Sequence, residues 1–237
     1  MSPPRLLVHV EGQTEETFVK EVLAPHLVHM GFAAVAARIV GNARQRHRRG
    51  GIRGWDAVKR DILGHLKEDS DCLATTMVDY YALPQSGTGA WPARAHASRL
   101  EATGAERAEY VEIALLKDVV AAMGDAFNPR RFIPFVTAYE YEAILFSDCA
   151  AFANGIGRPE LAAHFQAIRD AFATPEDIND SPQTAPSKRV EGLVAGYQKP
   201  VLGVLAVLEI GMQKVRDACP HFDRWIQALE QRIQRIS

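Results

Sequence analysis

The chain has 237 residues, 47% of them hydrophobic and 24% charged, with 27 Lys and Arg against 29 Asp and Glu for a net charge of -2. That composition belongs to a soluble globular protein and excludes a disordered chain, and the near-neutral balance leaves any argument for nucleic acid to local clusters. Cys72, Cys149 and Cys219 lack metal-type spacing and suit reduced thiols, the N-terminus runs straight into a strand rather than a signal peptide, and no apolar run approaches the ~20 residues of a membrane span, so a cytoplasmic protein without a membrane partner is expected.

In chain order, the apolar run Leu6 to Val10 predicts a buried strand over 5–10 that stops at Glu11. Gly12 permits a tight turn, and Thr14, Glu15 and Glu16 open an amphipathic helix over 14–30, with Phe18, Val22, Leu23 and Leu27 on one face and Pro25 set to kink it. Further strands are predicted at 33–40, 71–78 and 132–137, and further helices at 55–68 and 105–123. Strands alternating with helices give an α/β fold with a mostly parallel sheet flanked by helices, its strand C-termini on one edge. Beyond about residue 139 only helices are predicted, over 141–152, 158–172, 187–196 and 201–235. The expected division is an α/β core over 1–140 and a helical C-terminal region over 141–237 packed on it. Leu202, Leu205, Leu208, Val215, Trp225, Ile226 and Leu229 in that region read chiefly as core, with some left for a homodimer or partner surface. Loops 41–54 and 80–104 are long for a compact domain, which favours a functional or mobile segment.

Carboxylates recur where strands end. Glu11 follows the first strand, at the sheet edge where open α/β folds place ligands, and reads as a metal ligand or acid/base group against a plain solvated loop acid. Asp79 follows CLATTMV and falls on the same edge, unless it is simply a turn aspartate. Two carboxylates converging there need a proton or a cation, and Mg²⁺ takes one or two carboxylates plus waters and phosphate oxygens. Glu140 and Glu142 make a third acidic strand end in VTAYEYEAILFSD; they share a face if the strand continues and diverge if a helix has begun. Glu15 and Glu16 need no function beyond the first helical turn. Arg44, Arg46, Arg48, Arg49 and Arg53 form a basic loop suited to phosphates or equally to solvent. Lys188 and Arg189 open a predicted helix, where cations are unfavourable unless an anion or carboxylate is present. P-loop, HExxH, CxxC and GxSxG patterns are absent, and His9, though spaced to share a face with Glu11, reads as a packing histidine.

Glu at the first strand end and Asp at the third resemble the hallmark of the Toprim fold. More specifically, VEGQTEETFVKEVLAPHL, MVDYYALP, FIPFVTAYEYEAILFSD, INDSPQTAPSKRV and GMQKVRDACPHFDRWIQALE resemble a Toprim-like family encoded beside ATPases in phage-defence loci, similar to the effectors of PARIS-type defence. The resemblance implies Mg²⁺- or Mn²⁺-dependent phosphodiester cleavage of nucleic acid, with tRNA a first candidate, and an ATPase partner that restrains the effector. Under it, Glu11, Asp79 and Glu142 are metal ligands, Glu140 is an alternative acid of the same block, and Lys188 or Arg189 face the phosphate. One departure matters: many Toprim domains carry a second acid two residues after the Asp, and Tyr81 stands there. Glu140 or Glu142 can supply the missing ligand, or the tyrosines can stack on bases. The rival expectation is a non-catalytic Toprim scaffold that docks the ATPase.

Overall fold

The apolar run that opens the chain is the central strand β1 (Arg5–Val10) in the computed structural model, which describes residues 3–40, 52–179 and 184–233. Its neighbours are β2 (Ala34–Ile39) and β3 (Cys72–Asp79), and β4 (Phe132–Ile133) and β5 (Val136–Thr137) both pair with the far side of β3. Every strand pairing in this five-stranded sheet is parallel, in the order β2-β1-β3-β4.

Between β1 and β2 run α1 (Gln13–Phe18) and α2 (Ala24–Met30), joined by a π-helical turn over Val19–Leu23. The expected disturbance at Pro25 is that turn: proline has no N–H for the residue 21 carbonyl and its ring crowds it, so the helix widens and the Ala24 amide bonds to Val19. Helix α3 (Trp55–Glu68) precedes β3, and α4 (Arg94–Ala97) and α5 (Gly104–Met123) connect β3 to β4. The rest is helical: α6 (Cys149–Gly155), α7 (Ala162–Arg169), α8 (Pro186–Leu193), α9 (Val204–Ile210), α10 (Met212–Ala218) and α11 (Pro220–Glu230). Among the described residues no helix is long and apolar enough to cross a membrane.

Alternation along the strands sends apolar side chains to two cores. Leu6, Val8 and Val10 of β1 meet Phe18, Leu23 and Leu27 on one face, together with Phe146, Phe152, Phe165 and Trp225 from the C-terminal helices. Ala74 and Val78 of β3 meet Val58, Ile62 and Leu66 of α3 and Val111, Leu115 and Val119 of α5 on the other. Each such side chain, buried on both sides of a parallel sheet, contributes about 1.5–3 kcal/mol.

Three predicted spans are broken in the structure. The strand at 132–137 is two pieces, because Pro134 has no amide to give the ladder; the Thr76 hydroxyl takes over, accepting from Phe135 N at 2.9 Å and donating to its carbonyl at 2.8 Å. The helix at 141–152 begins as a 3₁₀ segment, Tyr141–Ser147. The span 201–235 is cut at Gly211, whose φ of 81° lies in the left-handed region, and again before Pro220.

Candidate functional site

Chain connectivity creates the site. From β1 the chain leaves to β2 on one side and returns to β3 on the other, so the carboxyl ends of β1 and β3 flank the point where strand order reverses, the ligand crevice of open α/β sheets. Val10 is level with Met77, which sets Glu11 and Asp79 one and two residues beyond the last pair. Asp79 in turn pairs with Thr137, whose buried hydroxyl has no hydrogen-bond partner.

Glu11, Glu15, Asp79, Glu140 and Glu142 gather at this edge, and the cation that faces them is Lys199. Burial, then the Glu15 charge, pushes the Glu11 carboxyl up to about 8, with the Asp79 amide and Lys199 opposing; its Oε2 is buried without a partner. Burial followed by Glu15, Glu11, Glu142 and Glu140 drives Asp79 well above the carboxylate range, although its Oδ1 accepts from the Tyr141 amide at 2.9 Å. Glu15, 6% exposed, accepts from Gly12 N at 2.9 Å and is also raised by burial. Glu142, 1% exposed, is lifted by burial to about 7 against the pull of Lys199, whose Nζ lies 3.2 Å from both of its oxygens. Burial disfavours the Lys199 charge, but Glu142, Glu140 and Asp79 outweigh that and hold its pKa above the ordinary lysine value. Shifts set by burial and like charge cluster at functional sites, and structural ion-pair networks produce them too.

The YEYEA block reaches this edge through one unusual residue. Tyr139 has a φ of 62°, and an ideal Cβ on Gly104 would lie 2.5 Å from its ring, so glycine at the start of α5 makes room for the turn. Glu140 is extended and Tyr141 begins the 3₁₀ segment, so Glu140 and Glu142 leave different turns yet both face the cluster. Glu140 Oε2 accepts from Ser187 N at 2.9 Å, at the N-terminus of α8. That carboxylate is favourably placed at the positive end of the helix.

Other predicted residues lie elsewhere. Lys188 is exposed and pairs with Glu191 at 2.6 Å, and Arg189 donates to the Thr184 carbonyl and stacks on Phe172, so neither is part of the carboxylate cluster. Lys199, not Lys188, is the lysine beside these acids. Arg44, Arg46, Arg48 and Arg49 fall outside the described residues; Arg53 pairs with Asp61 at 3.1 Å. Loop 80–104 is pinned at Trp91, which donates to the Arg53 carbonyl and packs on Trp55. Tyr80 is 2% exposed with the Arg94 guanidinium 3.7 Å above its ring, and Tyr81 bonds to Asn179 and packs on Tyr139, so these rings stack within the protein. His9 is fully buried, 3.2 Å from the Thr75 carbonyl and from His65, and burial takes its pKa down to about 4: a neutral packing group. A separate cleft of about 380 Å³ opens between α5 and α11, lined by Glu112, Phe135, His221 and Trp225, away from these acids.

Reading the sequence missed Lys199 and Thr137. Lys199 opens a π-helical turn, Lys199–Gly203, that packs on α1, and nothing local in YQKPVLG announces it. Thr137 did carry a signal, a polar residue closing an otherwise apolar strand.

The donor chemistry fits a hard cation: carboxylate oxygens, one of them buried and unpartnered. Among the described residues no three His, Cys, Asp or Glu stand together in metal-binding geometry. Residues 10–230 match the family described as a domain of unknown function, DUF4276, and the chain belongs to it. No curated protein and no solved structure matches the chain.

Proposed function

We propose that this DUF4276 member is a cytoplasmic metal-dependent phosphodiesterase that cleaves nucleic acid, with Mg²⁺ or Mn²⁺ held by Glu11 and Asp79. The observation that carries the reading is the surplus of buried carboxylate at the β1/β3 switch point, with Lys199 the cation that acts on Glu11 and feels the charge of Asp79. A bound divalent ion would polarise the scissile phosphate and ease deprotonation of an attacking water. Glu142 holds the Lys199 ammonium at the rim, where it offsets charge developing on phosphate oxygens. The Asp79 and Tyr141 amides keep Glu11 and Asp79 oriented. The resemblance to Toprim-like defence proteins adds the biological setting: an anti-phage effector, with tRNA the first substrate to try and a neighbouring ATPase as its restraint.

Calorimetry with Mg²⁺ and Mn²⁺, paired with cleavage assays on tRNA, other RNA and DNA, tests this. Metal binding and cleavage present in the wild type and lost in Glu11→Gln are expected; cleavage unchanged in that variant would sink the reading.

A second reading has its own support. Asp79, Glu15, Glu140 and Glu142 already accept from Tyr141, Gly12, Ser187 and Lys199. Acids so engaged suit a non-catalytic scaffold that docks the ATPase. That reading gains if the two proteins co-purify and no nucleic acid is turned over.

A further inference from the structure

We propose that Arg94 and Arg107 form an anion site that takes a phosphate group, immediately beside the carboxylate edge. Arg94 is 2% exposed; its Nε donates to the Tyr80 carbonyl at 2.9 Å, and its Nη1 is buried with no hydrogen-bond partner. Arg107 donates through Nη2 to the Leu100 carbonyl at 2.8 Å, and its Nε is likewise buried and unpartnered. The buried Tyr80 hydroxyl makes no well-formed hydrogen bond, and the Arg94 side chain is its nearest polar neighbour. No carboxylate pairs with either guanidinium among the described residues. Arg216 shows the usual arrangement, with Asp223 at 2.6 Å and Glu230 at 2.7 Å.

Several features raise the positive potential here. The two guanidiniums repel each other. Arg107 sits in the first turn of α5, at the positive end of a 20-residue helix. The acid of that turn, Glu106, is exposed and folds back onto Thr103, accepting from its amide at 2.8 Å. Arginine cannot escape by losing its proton, so a buried, unmatched pair is costly until an anion arrives. Two guanidiniums offering free N–H groups match the oxygens of a phosphate. Arg107 and Tyr81 are half-buried, which leaves the pair an opening to solvent.

Tyr80 links this site to the acids, since the carbonyl that takes the Arg94 guanidinium belongs to the residue directly after Asp79. A strand whose scissile phosphate sits at Glu11 and Asp79 would therefore offer a neighbouring phosphate to Arg94 and Arg107. That assignment of the anion to a nucleic-acid strand rests on the phosphodiesterase reading; the anion site itself does not.

The test uses metal-free protein in chelator, with phosphate exchanged for chloride at constant ionic strength. Thermal unfolding and calorimetry are read for wild type, Arg107→Gln, Arg94→Lys and Glu11→Gln. A saturable stabilisation by inorganic phosphate is expected in the wild type and in Glu11→Gln, weakened about tenfold or more in the arginine variants. The half-buried Arg107 keeps the test valid if Arg94→Lys fails to fold. No saturable phosphate effect in the wild type, or one unchanged in Arg107→Gln, overturns the site. A short phosphorothioate oligonucleotide separates the sources: competition with phosphate that weakens in Arg107→Gln supports a strand phosphate, and its absence overturns that assignment. Loss of the phosphodiesterase reading would register independently, as cleavage indifferent to Glu11→Gln.

Discussion

The carboxylates at the strand tips and the guanidiniums behind Tyr80 are both buried charges short of counter-charge, and they cope differently. The acids can take up protons: Glu11 is pushed up to about 8, Glu142 to about 7, and Asp79 is raised well above its ordinary value. The arginines have no such outlet and lean on a ring face and two backbone carbonyls. A site that can neutralise itself with protons tolerates the absence of its ligand, whereas one that cannot should respond more sharply when the ligand arrives.

The largest expected effect breaks the acidic side. Glu11→Ala or Asp79→Ala lowers the cleavage rate by about 10²-fold or more, measured as initial rates at saturating Mg²⁺. Unchanged rates would demote both acids to structure.

A pH series sharpens the contrast. The folded pKa of Glu11 lies above its ordinary value of 4.5, so the native state binds the extra proton. Stability is then full below about pH 4.5 and falls as pH rises towards 8. The metal-free protein should lose several degrees of Tm across that window, and Glu11→Gln should flatten the slope. A Tm that climbs through the window in wild type, with Glu11→Gln no flatter, would contradict the burial of that acid.

Lys199→Met strands Glu142 without its cation and costs about 1–3 kcal/mol in denaturant unfolding, less than a fully buried pair because Lys199 is partly solvated. Adding Glu142→Gln should return most of the loss. The smallest effect is on the turn between the two clusters. Gly104→Ala drives a methyl into the Tyr139 ring and should cost about 1 kcal/mol or somewhat more, read as a lower Tm.

Most of the fold was legible because its elements are local and periodic. β1, β2 and β3 lie where the apolar runs place them, and α3 and α5 match their spans within a residue. Glu11, Asp79, Glu140 and Glu142 were legible because strand ends share one edge of a parallel sheet. Lys199 was not, since a tertiary contact between distant segments decides which lysine meets the acids. Lys188 looked better placed by sequence, yet its helix presents it to solvent beside Glu191. Arg94 was hidden for a similar reason: an arginine in a loop gives no sign that the loop folds inward. The break at Pro134 was readable in hindsight, as a residue without an amide in a predicted strand.

The indole of Trp225 donates to Thr75 Oγ1 at 2.9 Å and stacks on Phe135, its ring centroid 4.3 Å away, across 150 positions of sequence from the middle of β3. One face of the sheet is therefore finished by a helix made long after β3. Until α11 leaves the ribosome, Met77 and Phe135 lack part of their cover, so the first 140 residues are not expected to close as a stable body by themselves. Native pairing of so distant a contact makes folding slow and leaves apolar strand surface open meanwhile. A nascent chain of this protein would be a demanding client for chaperones, and its fold could close only after α11 has been made.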